Sequence, residues 1–270
     1  MPWTFSHPAA VLPLSRFAPK YLSLPALMCG SMAPDFGYYV SQYEVAGYAH
    51  SAAGSVVAGL PLGLACLLLF YLVRRPVWFL LPQPHRSAVA PLLESAPWRD
   101  KWFWLVAVVS VMIGVWTHNI WDSFTHYYGW MVMRIPPLQN STVQLGGVVW
   151  PAHRVLQHIS TVVGAAALAF AYFSWLRRQP RTQRAAAGGG DLFRYLVVFA
   201  AVALSVAVAF PLAVRASRMF GPNLTFEALI VQLAIQTGTV LGAIVLLYSA
   251  VYAGVAQRRR AAATTTERRF

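Results

Sequence analysis

The sequence predicts an all-α fold: a polytopic membrane helical bundle with about five transmembrane helices and an N-terminal extracytoplasmic helical segment. Of the 270 residues, 58% are hydrophobic and only 11% are charged. One soluble core of ordinary composition could not cover that much apolar surface, so lipid must cover part of it. The apolar residues form long stretches, and arginines stand at the ends of those stretches. Both patterns are typical of membrane-spanning helices.

Five stretches are long enough to cross about 30 Å of hydrocarbon at about 1.5 Å per residue. They cover residues 52–73, 102–121, 155–176, 192–214 and 227–252. The first contains Pro61, and we expect a kink there because proline removes a backbone donor. The five spans predict one integral-membrane domain over residues 1–257. The polar, low-complexity segment 177–190 predicts a flexible cytoplasmic loop, and residues 258–270 predict a disordered basic cytoplasmic tail.

Basic residues indicate the orientation, because lysine and arginine are retained on the cytoplasmic side of a membrane. One set of connecting segments holds 14 of them: Arg74, Arg75, Arg86, Arg99, Lys101, Arg177, Arg178, Arg181, Arg184, Arg258, Arg259, Arg260, Arg268 and Arg269. The opposite set holds six: Arg16, Lys20, Arg134, Arg154, Arg215 and Arg218. We therefore expect a multi-pass protein of the cell inner membrane, with residues 1–50, 122–154 and 215–226 on the outer side.

The composition also excludes some classes of protein. The two cysteines, Cys29 and Cys66, have no CxxC spacing, so neither a disulfide framework nor a cysteine-ligated zinc site is expected. The net charge of +13 comes from arginines that flank apolar stretches, and we expect no nucleic-acid partner. Membrane lipid is the partner that the composition predicts.

Eight ionisable residues from four parts of the chain map to the predicted outer face. They are His7, Asp35, His50, His118, Asp122, His126, His153 and His158. Of the seven histidines, only His85 falls on the predicted cytoplasmic side. Such a one-sided distribution favours a shared polar or metal site over scattered surface residues.

Helical spacing adds to this interpretation, because residues four apart lie on the same face of a helix. His118, Asp122 and His126 would form one column if the second span continued to His126. An imidazole and a carboxylate at this spacing can hold one divalent ion, with further ligands from other segments. A carboxylate at the end of a span costs free energy, so it requires a cation or a donor. The sequence predicts a divalent metal, of which zinc fits these ligands best.

Each residue also has an ordinary structural interpretation. His7 could be a surface or capping residue, and Asp35 could cap a helix. His50 and His158 could be interfacial polar residues at helix ends, whereas His153 is expected to face water or lipid headgroups. The nearby aromatic residues indicate an interfacial belt. They are Trp116, Trp121, Tyr127, Tyr128, Trp130 and Trp150.

Several motifs resemble a known family. They are MPWTFSHPAAVLPL, LSLPALMCGSMAPDFGYYV, GYAHS, THNIWDSFTH and VLQHISTVVG. Together they resemble the bacterial membrane proteins of the domain-of-unknown-function family four-one-eight-four, over residues 1 to about 250. That family implies a fold class but no activity.

The order of the polar residues is more distantly similar to the metal ligands of zinc-dependent phospholipases C and of membrane-bound metal-dependent hydrolases. This resemblance implies metal ligands at His7, Asp35, His50, His118 and Asp122, with Asp122 as a bridge between two ions and His126 and His158 as additional candidates. The chain departs from the phospholipases because it has no H-x3-E pair, and because Trp3 follows Met1 and Pro2 instead of forming the N-terminus. Both departures argue against a site for three ions.

Two functions therefore compete. The first is a metal-dependent hydrolase that acts on a lipid or phosphoester at the outer membrane interface, with Asp35 or His126 as the proton acceptor. The alternative is a non-enzymatic membrane protein with a structural metal or a polar cluster. A proton relay is disfavoured because the span centres are apolar. A haem protein with paired histidines is also disfavoured, because His50, His118 and His158 lie too near the helix ends.

Overall fold

The computed structural model describes residues 3–17, 21–94, 97–180, 189–218 and 226–267, which are almost entirely helical. The α-helices are α1 (Leu12–Phe17), α2 (Leu24–Met32), α3 (Phe36–Tyr39), α4 (Tyr43–Ala49), α5 (Ala52–Gly54), α6 (Leu60–Leu80), α7 (His85–Glu94), α8 (Phe103–Thr125), α9 (Pro136–Asn140), α10 (Ala152–Arg178), α11 (Gly189–Arg218) and α12 (Phe226–Glu267). Residues Thr4–Val11, Ala33–Asp35 and Pro97–Arg99 form 3₁₀ helices, and Ser55–Gly59 forms a π-helical turn. Two strands, β1 (Thr142–Leu145) and β2 (Val148–Pro151), form one antiparallel ribbon.

Five of the helical stretches are long and apolar enough to cross a membrane. They are Ala52–Leu80, Phe103–Thr125, Ala152–Arg178, Gly190–Arg218 and Phe226–Arg259. Each contains one of the five predicted spans almost completely. The prediction of an all-α, polytopic membrane fold is therefore confirmed.

The irregularity expected at Pro61 is a π-helical turn just before it. Pro61 has no amide hydrogen to donate to the carbonyl four residues earlier. One residue earlier, the amide of Leu60 donates to the carbonyl of Ser55, five residues back. The helix is therefore widened in the turn that precedes Pro61, as is common for π-bulges.

The chain packs as two compact units. The first unit contains residues 1–69 and 96–178, and the second contains residues 70–95 and 179–270.

In the first unit, α2 packs directly against α8 because small residues line the contact. A side chain added to Gly30 would collide with the backbone carbonyl of Val111, and one added to Gly114 would collide with the carbonyl of Leu27. Small residues allow two helix backbones to approach closely in this way. Helix α2 therefore lies alongside the middle of α8.

Two hydrogen bonds fix the register of this parallel helix pair. The amide of Ser23 donates to Ser110 Oγ, and His118 Nδ1 lies 2.7 Å from the carbonyl oxygen of Ser31. Both contacts join residues that are 87 positions apart in the chain. Asp35 and Asp122 are separated by the same 87 positions. The 3₁₀ helix that follows α2 therefore places Asp35 beside the last turn of α8.

The β-ribbon was not predicted from the sequence. Its two-residue loop is Gly146–Gly147, and both glycines have positive φ angles, 57° and 79°. Two consecutive positive φ angles are typical of a type I′ hairpin turn, which glycine adopts without strain.

In the second unit, α11 and α12 form the main helix pair. Near the start of α11, Arg194 Nη1 lies 3.2 Å from Asp191 Oδ1. Helix α12 continues to Glu267. Residues 268–270, and residues 181–188 of the predicted flexible loop, lie outside the described residues.

Candidate metal centre

Four ionisable side chains from separate parts of the first unit converge on one point. Asp35 ends the 3₁₀ helix after α2, His50 follows α4, and His118 and Asp122 lie one turn apart on α8. One ligand atom from each residue lies within 4.8 Å of the other three. Asp35 and His118 are 0% exposed and Asp122 is 5% exposed, whereas His50 is partly exposed. The structure thus brings together four of the residues that the sequence singled out.

The distances between these atoms match the edges of a coordination polyhedron. His50 Nε2 and His118 Nε2 are 3.1 Å apart. Asp122 Oδ2 lies 3.4 Å from each of these nitrogens, and Asp35 Oδ1 lies 3.5 and 3.6 Å from them. Ligands bound to one tetrahedral zinc at about 2.0–2.1 Å would be about 3.3–3.4 Å apart. The four side chains therefore fit a divalent ion with little rearrangement.

Backbone carbonyls hold both imidazoles in the tautomer that a metal ligand requires. His50 Nδ1 lies 2.7 Å from the carbonyl oxygen of Ala46, and His118 Nδ1 lies 2.7 Å from that of Ser31. A carbonyl oxygen can only accept, so each Nδ1 carries the hydrogen. In the neutral rings, both Nε2 atoms then present lone pairs to the common point.

The two carboxylates also present unpartnered oxygens. Thr4 Oγ1 donates to Asp35 Oδ2 at 2.6 Å, which leaves Asp35 Oδ1 for a metal. Asp35 Oδ1 and both oxygens of Asp122 are buried and accept no hydrogen bond from the described residues. Buried carboxylate oxygens are normally paired, so these three point to a missing cation.

Electrostatic interactions in the cluster reflect the same demand for positive charge. Burial alone would lower the pKa of His50, but interactions with the nearby carboxylates of Asp122 and Asp35 outweigh burial and raise this pKa to about 10. Burial would raise the pKa of Asp35, but the charge of His118 and the proximity of His50 keep it below its ordinary value. A proton near His50 thus occupies the position that a bound cation would take.

His7 extends the cluster on the other side of Asp122. Its ring stacks on His118 with 3.8 Å between the centroids, and His7 Nε2 lies 3.5 Å from Asp122 Oδ1. His7 Nε2 is buried and has no hydrogen-bond partner among the described residues. Burial and the neighbouring His118 lower the pKa of His7 to about 3, so the ring is neutral. Asp122 can therefore bridge two positions, the second of which has His7 and Asp122 as its protein ligands.

His126 lies beside the cluster, although the helical column ends before it. Helix α8 ends at Thr125, and His126 has extended backbone angles. Its Nδ1 lies 3.1 Å from the carbonyl oxygen of Asp122 and 3.5 Å from Asp122 Oδ2. His126 Nε2 has no hydrogen-bond partner in the described part of the chain. Burial lowers the pKa of His126 below its ordinary value, despite the charge of Asp122.

A cavity of about 540 Å³ opens onto this side of the cluster. Its walls are Tyr38, Gly47, His50, Ser51, Asn119, Asp122, Ser123, His126, Tyr128, Gly129 and Trp130. Asp35, expected as a proton acceptor or ligand, is fully buried and does not line this cavity. The volume falls in the range of about 300–1,000 Å³ that small-molecule sites occupy. His50, Asp122 and His126 all line this cavity, so a ligand bound there could contact any of them.

Two further histidines that were predicted on the outer face lie away from the common point. His158 is exposed and its ring packs edge-on against Trp150, with 5.4 Å between the centroids. His153 was expected to face water or headgroups, but it is only 5% exposed. Its Nδ1 lies 3.1 Å from the carbonyl oxygen of Leu138, so His153 attaches α10 to α9.

The positioning groups were not identified from the sequence. Nothing in the sequence distinguishes Thr4, which orients Asp35, from an ordinary threonine. Asn119 Nδ2 donates to the carbonyl of Ala49 at 3.0 Å and to Ser55 Oγ at 2.9 Å. This amide holds the segment around His50 against α8. Its position directly after His118 was the one available signal.

Comparison with known proteins adds a family and no activity. No curated protein and no solved structure matches the chain. The family model described as Domain of unknown function (DUF4184) matches residues 1–251. The chain therefore belongs to this family. It has five helices long and apolar enough to span a membrane, and a His/Asp cluster that could hold a metal.

Proposed function

We propose that the chain is a metal-dependent hydrolase that cleaves a phosphoester at the outer membrane interface. One observation carries the proposal: four ligand atoms lie at the spacing of a metal polyhedron, and two of their residues, His50 and Asp122, line a cavity of about 540 Å³. Ordinary buried polar clusters satisfy their own hydrogen bonds. Here three carboxylate oxygens are left unpartnered among the described residues.

The residues have distinct roles in this proposal. Asp35, His50, His118 and Asp122 would hold the first ion, and His7 would share Asp122 with a second. When bound, a zinc ion lowers the pKa of a coordinated water toward about 7 and polarises a phosphoryl oxygen. Thr4 and the carbonyls of Ala46 and Ser31 keep the ligand atoms aimed at the ion, because they occupy the other polar atoms of the same side chains.

His126 is the proton acceptor in this scheme. Its Nδ1 faces the carbonyl of Asp122 and therefore carries the hydrogen, which leaves a lone pair on Nε2. The lowered pKa keeps the ring neutral at neutral pH, the form that can accept a proton from an attacking water. His126 lines the cavity, which supports a role for that lone pair beside a bound substrate.

Hydrolysis of bis(p-nitrophenyl) phosphate by the detergent-purified protein tests the proposal. We expect activity that a chelator abolishes and zinc restores. His126→Gln should keep the metal and lose about 10²–10⁴-fold in rate, the usual contribution of a general base. A wild-type protein that holds stoichiometric metal but hydrolyses neither this ester nor phospholipids would contradict the proposal.

A structural metal site is the second candidate, and the donor count favours it. Four protein ligands can saturate a tetrahedral ion, as in structural zinc sites, whereas catalytic zinc sites keep an open position. In that case metal removal should lower the unfolding temperature, and His126→Gln should have no phenotype. A haem between His50 and His118 is disfavoured, because their Nε2 atoms are 3.1 Å apart and leave no room for a macrocycle.

The orientation is part of the proposal. The 14 to 6 distribution of basic residues supports an inner-membrane location with the cluster on the outer side. A membrane-impermeant thiol reagent should label Gln139→Cys from the periplasmic side of intact cells. Labelling only after permeabilisation would contradict this orientation.

A further inference from the structure

A cation outside the metal cluster lies next to one of the residues that line the cavity. The guanidinium carbon of Arg134 lies 4.2 Å from the ring centroid of Trp130, and Trp130 lines the cavity. Arg134 Nη1 also donates to the carbonyl of Trp130 at 3.2 Å. The stacking and the hydrogen bond fix the guanidinium over the indole ring.

The guanidinium is available to a ligand. Arg134 is exposed, and none of the carboxylates in the described residues pairs with it. Within the described part of the chain, the carbonyl of Trp130 is the one acceptor that binds any of its five N–H groups. An arginine held in one place by an aromatic ring, with most of its donors free, is suited to bind a phosphate or carboxylate group with two parallel hydrogen bonds.

The rest of the cavity contributes little competing charge. Between the metal cluster and Trp130, its walls include the neutral side chains of Tyr38, Asn119, Ser123 and Tyr128. Burial and the nearby carboxylates raise the pKa of Tyr38 to about 12, so its hydroxyl stays protonated and can donate. Two divalent ions would exceed the two negative charges of Asp35 and Asp122, so a cluster loaded with both ions would be positive, as Arg134 is.

From this arrangement we infer that Arg134 recognises an anionic phosphate group of the substrate while the metal centre holds the reacting part. The inference rests on the proposed function and narrows its substrate class to phosphate esters that carry a negative charge. A lipid headgroup and a soluble phosphate ester share this chemistry. Arg134 is then a specificity-determining residue and takes no part in the proton transfer assigned to His126.

The test measures binding of inorganic phosphate to the zinc-loaded protein in a non-ionic detergent by titration calorimetry. Arg134→Gln should weaken phosphate binding at least about tenfold relative to wild type. Arg154→Gln is the matched control, because it removes the same charge from an exposed residue of α10 that does not line the cavity. Equal phosphate affinity in wild type and Arg134→Gln, or an equal loss in both variants, would overturn the inference.

A second variant separates charge from folding. Arg134→Lys keeps the positive charge, and zinc content reports whether each variant is folded at the metal centre. We expect Arg134→Lys to bind phosphate more tightly than Arg134→Gln at equal zinc content. If the two variants bind phosphate equally, the charge is not the determinant and the inference is wrong.

A titration with a lipid shows whether the phosphate group belongs to a lipid headgroup or to a soluble ester. Wild type is titrated with dioctanoyl phosphatidic acid and, separately, with inorganic phosphate. Tighter binding of the lipid, lost in Arg134→Gln, would identify a lipid headgroup, whereas equal binding with the same dependence on Arg134 would identify a soluble ester. Failure of the proposed hydrolase function would give a different result. The wild-type protein would then bind metal but hydrolyse no phosphoester, whatever its affinity for phosphate.

Discussion

Asp122 and Asp191 are both buried aspartates near a helix end, but their surroundings differ. Asp191 lies in the second unit, one turn before Arg194, whose Nη1 is 3.2 Å from the carboxylate. Asp122 lies in the first unit, and its two oxygens accept no hydrogen bond from the residues that the structure describes. Imidazole nitrogens at 3.4–3.5 Å surround Asp122 instead.

This difference in surroundings indicates a different role for each carboxylate. A buried charge is tolerated when a partner of opposite charge and hydrogen bonds compensate it. Asp191 meets that condition within its own helix, so a structural role is sufficient. Asp122 faces lone-pair donors that are themselves oriented by backbone carbonyls, an arrangement that a cation completes.

Replacement of Asp122 should have the largest effect. Asp122→Asn keeps the shape of the side chain but removes the charge shared by both metal positions. We expect zinc affinity to fall by more than the roughly 10–100-fold that loss of a ligand's hydrogen-bonding partner costs. Elemental analysis after metal-replete purification measures this loss.

Asp191→Asn is the matched control for this change. It should leave the zinc content unchanged and lower the stability of the second unit by about 1–3 kcal/mol, since Arg194 loses a charged partner. Equal zinc content in wild type and Asp122→Asn would remove the distinction between the two aspartates.

His7→Ala should have the next largest effect. His7 is a proposed ligand of the second position only, beside Asp122 Oδ1, so its loss should remove one of two zinc equivalents and leave the other. Titration of the apoprotein with zinc, followed calorimetrically, counts the sites. One site in both wild type and His7→Ala, with equal affinity, would mean that Asp122 does not bridge two ions.

Thr4→Val should have a smaller effect, because it leaves every ligand in place. The variant loses the hydrogen bond that fixes Asp35 Oδ2, and zinc affinity should fall about 10–100-fold. Thr4→Ser retains the hydroxyl and should bind zinc nearly as wild type does. Competition with a chromogenic chelator measures all three affinities; a Thr4→Val affinity equal to wild type would show that Asp35 needs no orienting partner.

The smallest effects on metal are expected at the two histidines away from the cluster. His153→Ala should keep wild-type zinc content but lower the free energy of unfolding by about 1 kcal/mol, because the contact with the Leu138 carbonyl is lost. His158→Ala should change neither property. Elemental analysis and thermal unfolding check both variants, and zinc loss in His158→Ala would place the site elsewhere.

The sequence predicted the spans well because apolar length is a local property. The location of His118 and Asp122 on one helical face followed from their spacing alone. The β-ribbon was missed although Gly146–Gly147 lies between β-branched residues, which is the usual hairpin signal. The sequence predicted a loop over residues 122–154, between two long helices, and no strands there.

Contacts between distant segments could not be predicted in the same way. The position of α2 alongside α8 depends on Gly30 and Gly114 facing each other, and no local pattern shows which glycines will meet. The contacts of Thr4 with Asp35 and of His153 with the Leu138 carbonyl also had no local signal in the sequence. Sequence order suggested which residues were ligand types, but only the packing of α2 on α8 shows that their atoms converge.

X-ray absorption at the zinc edge of the zinc-loaded protein tests whether the histidine and aspartate side chains of the cluster bind a metal ion. The account predicts a first shell of nitrogen and oxygen at about 2.0–2.1 Å, with imidazole scattering from at least two histidines. That shell should be lost in Asp122→Asn and kept in Asp191→Asn. A shell that contains sulfur at about 2.3 Å, which only Cys29, Cys66 or a methionine could supply, or the absence of bound zinc after metal-replete purification, would contradict the account.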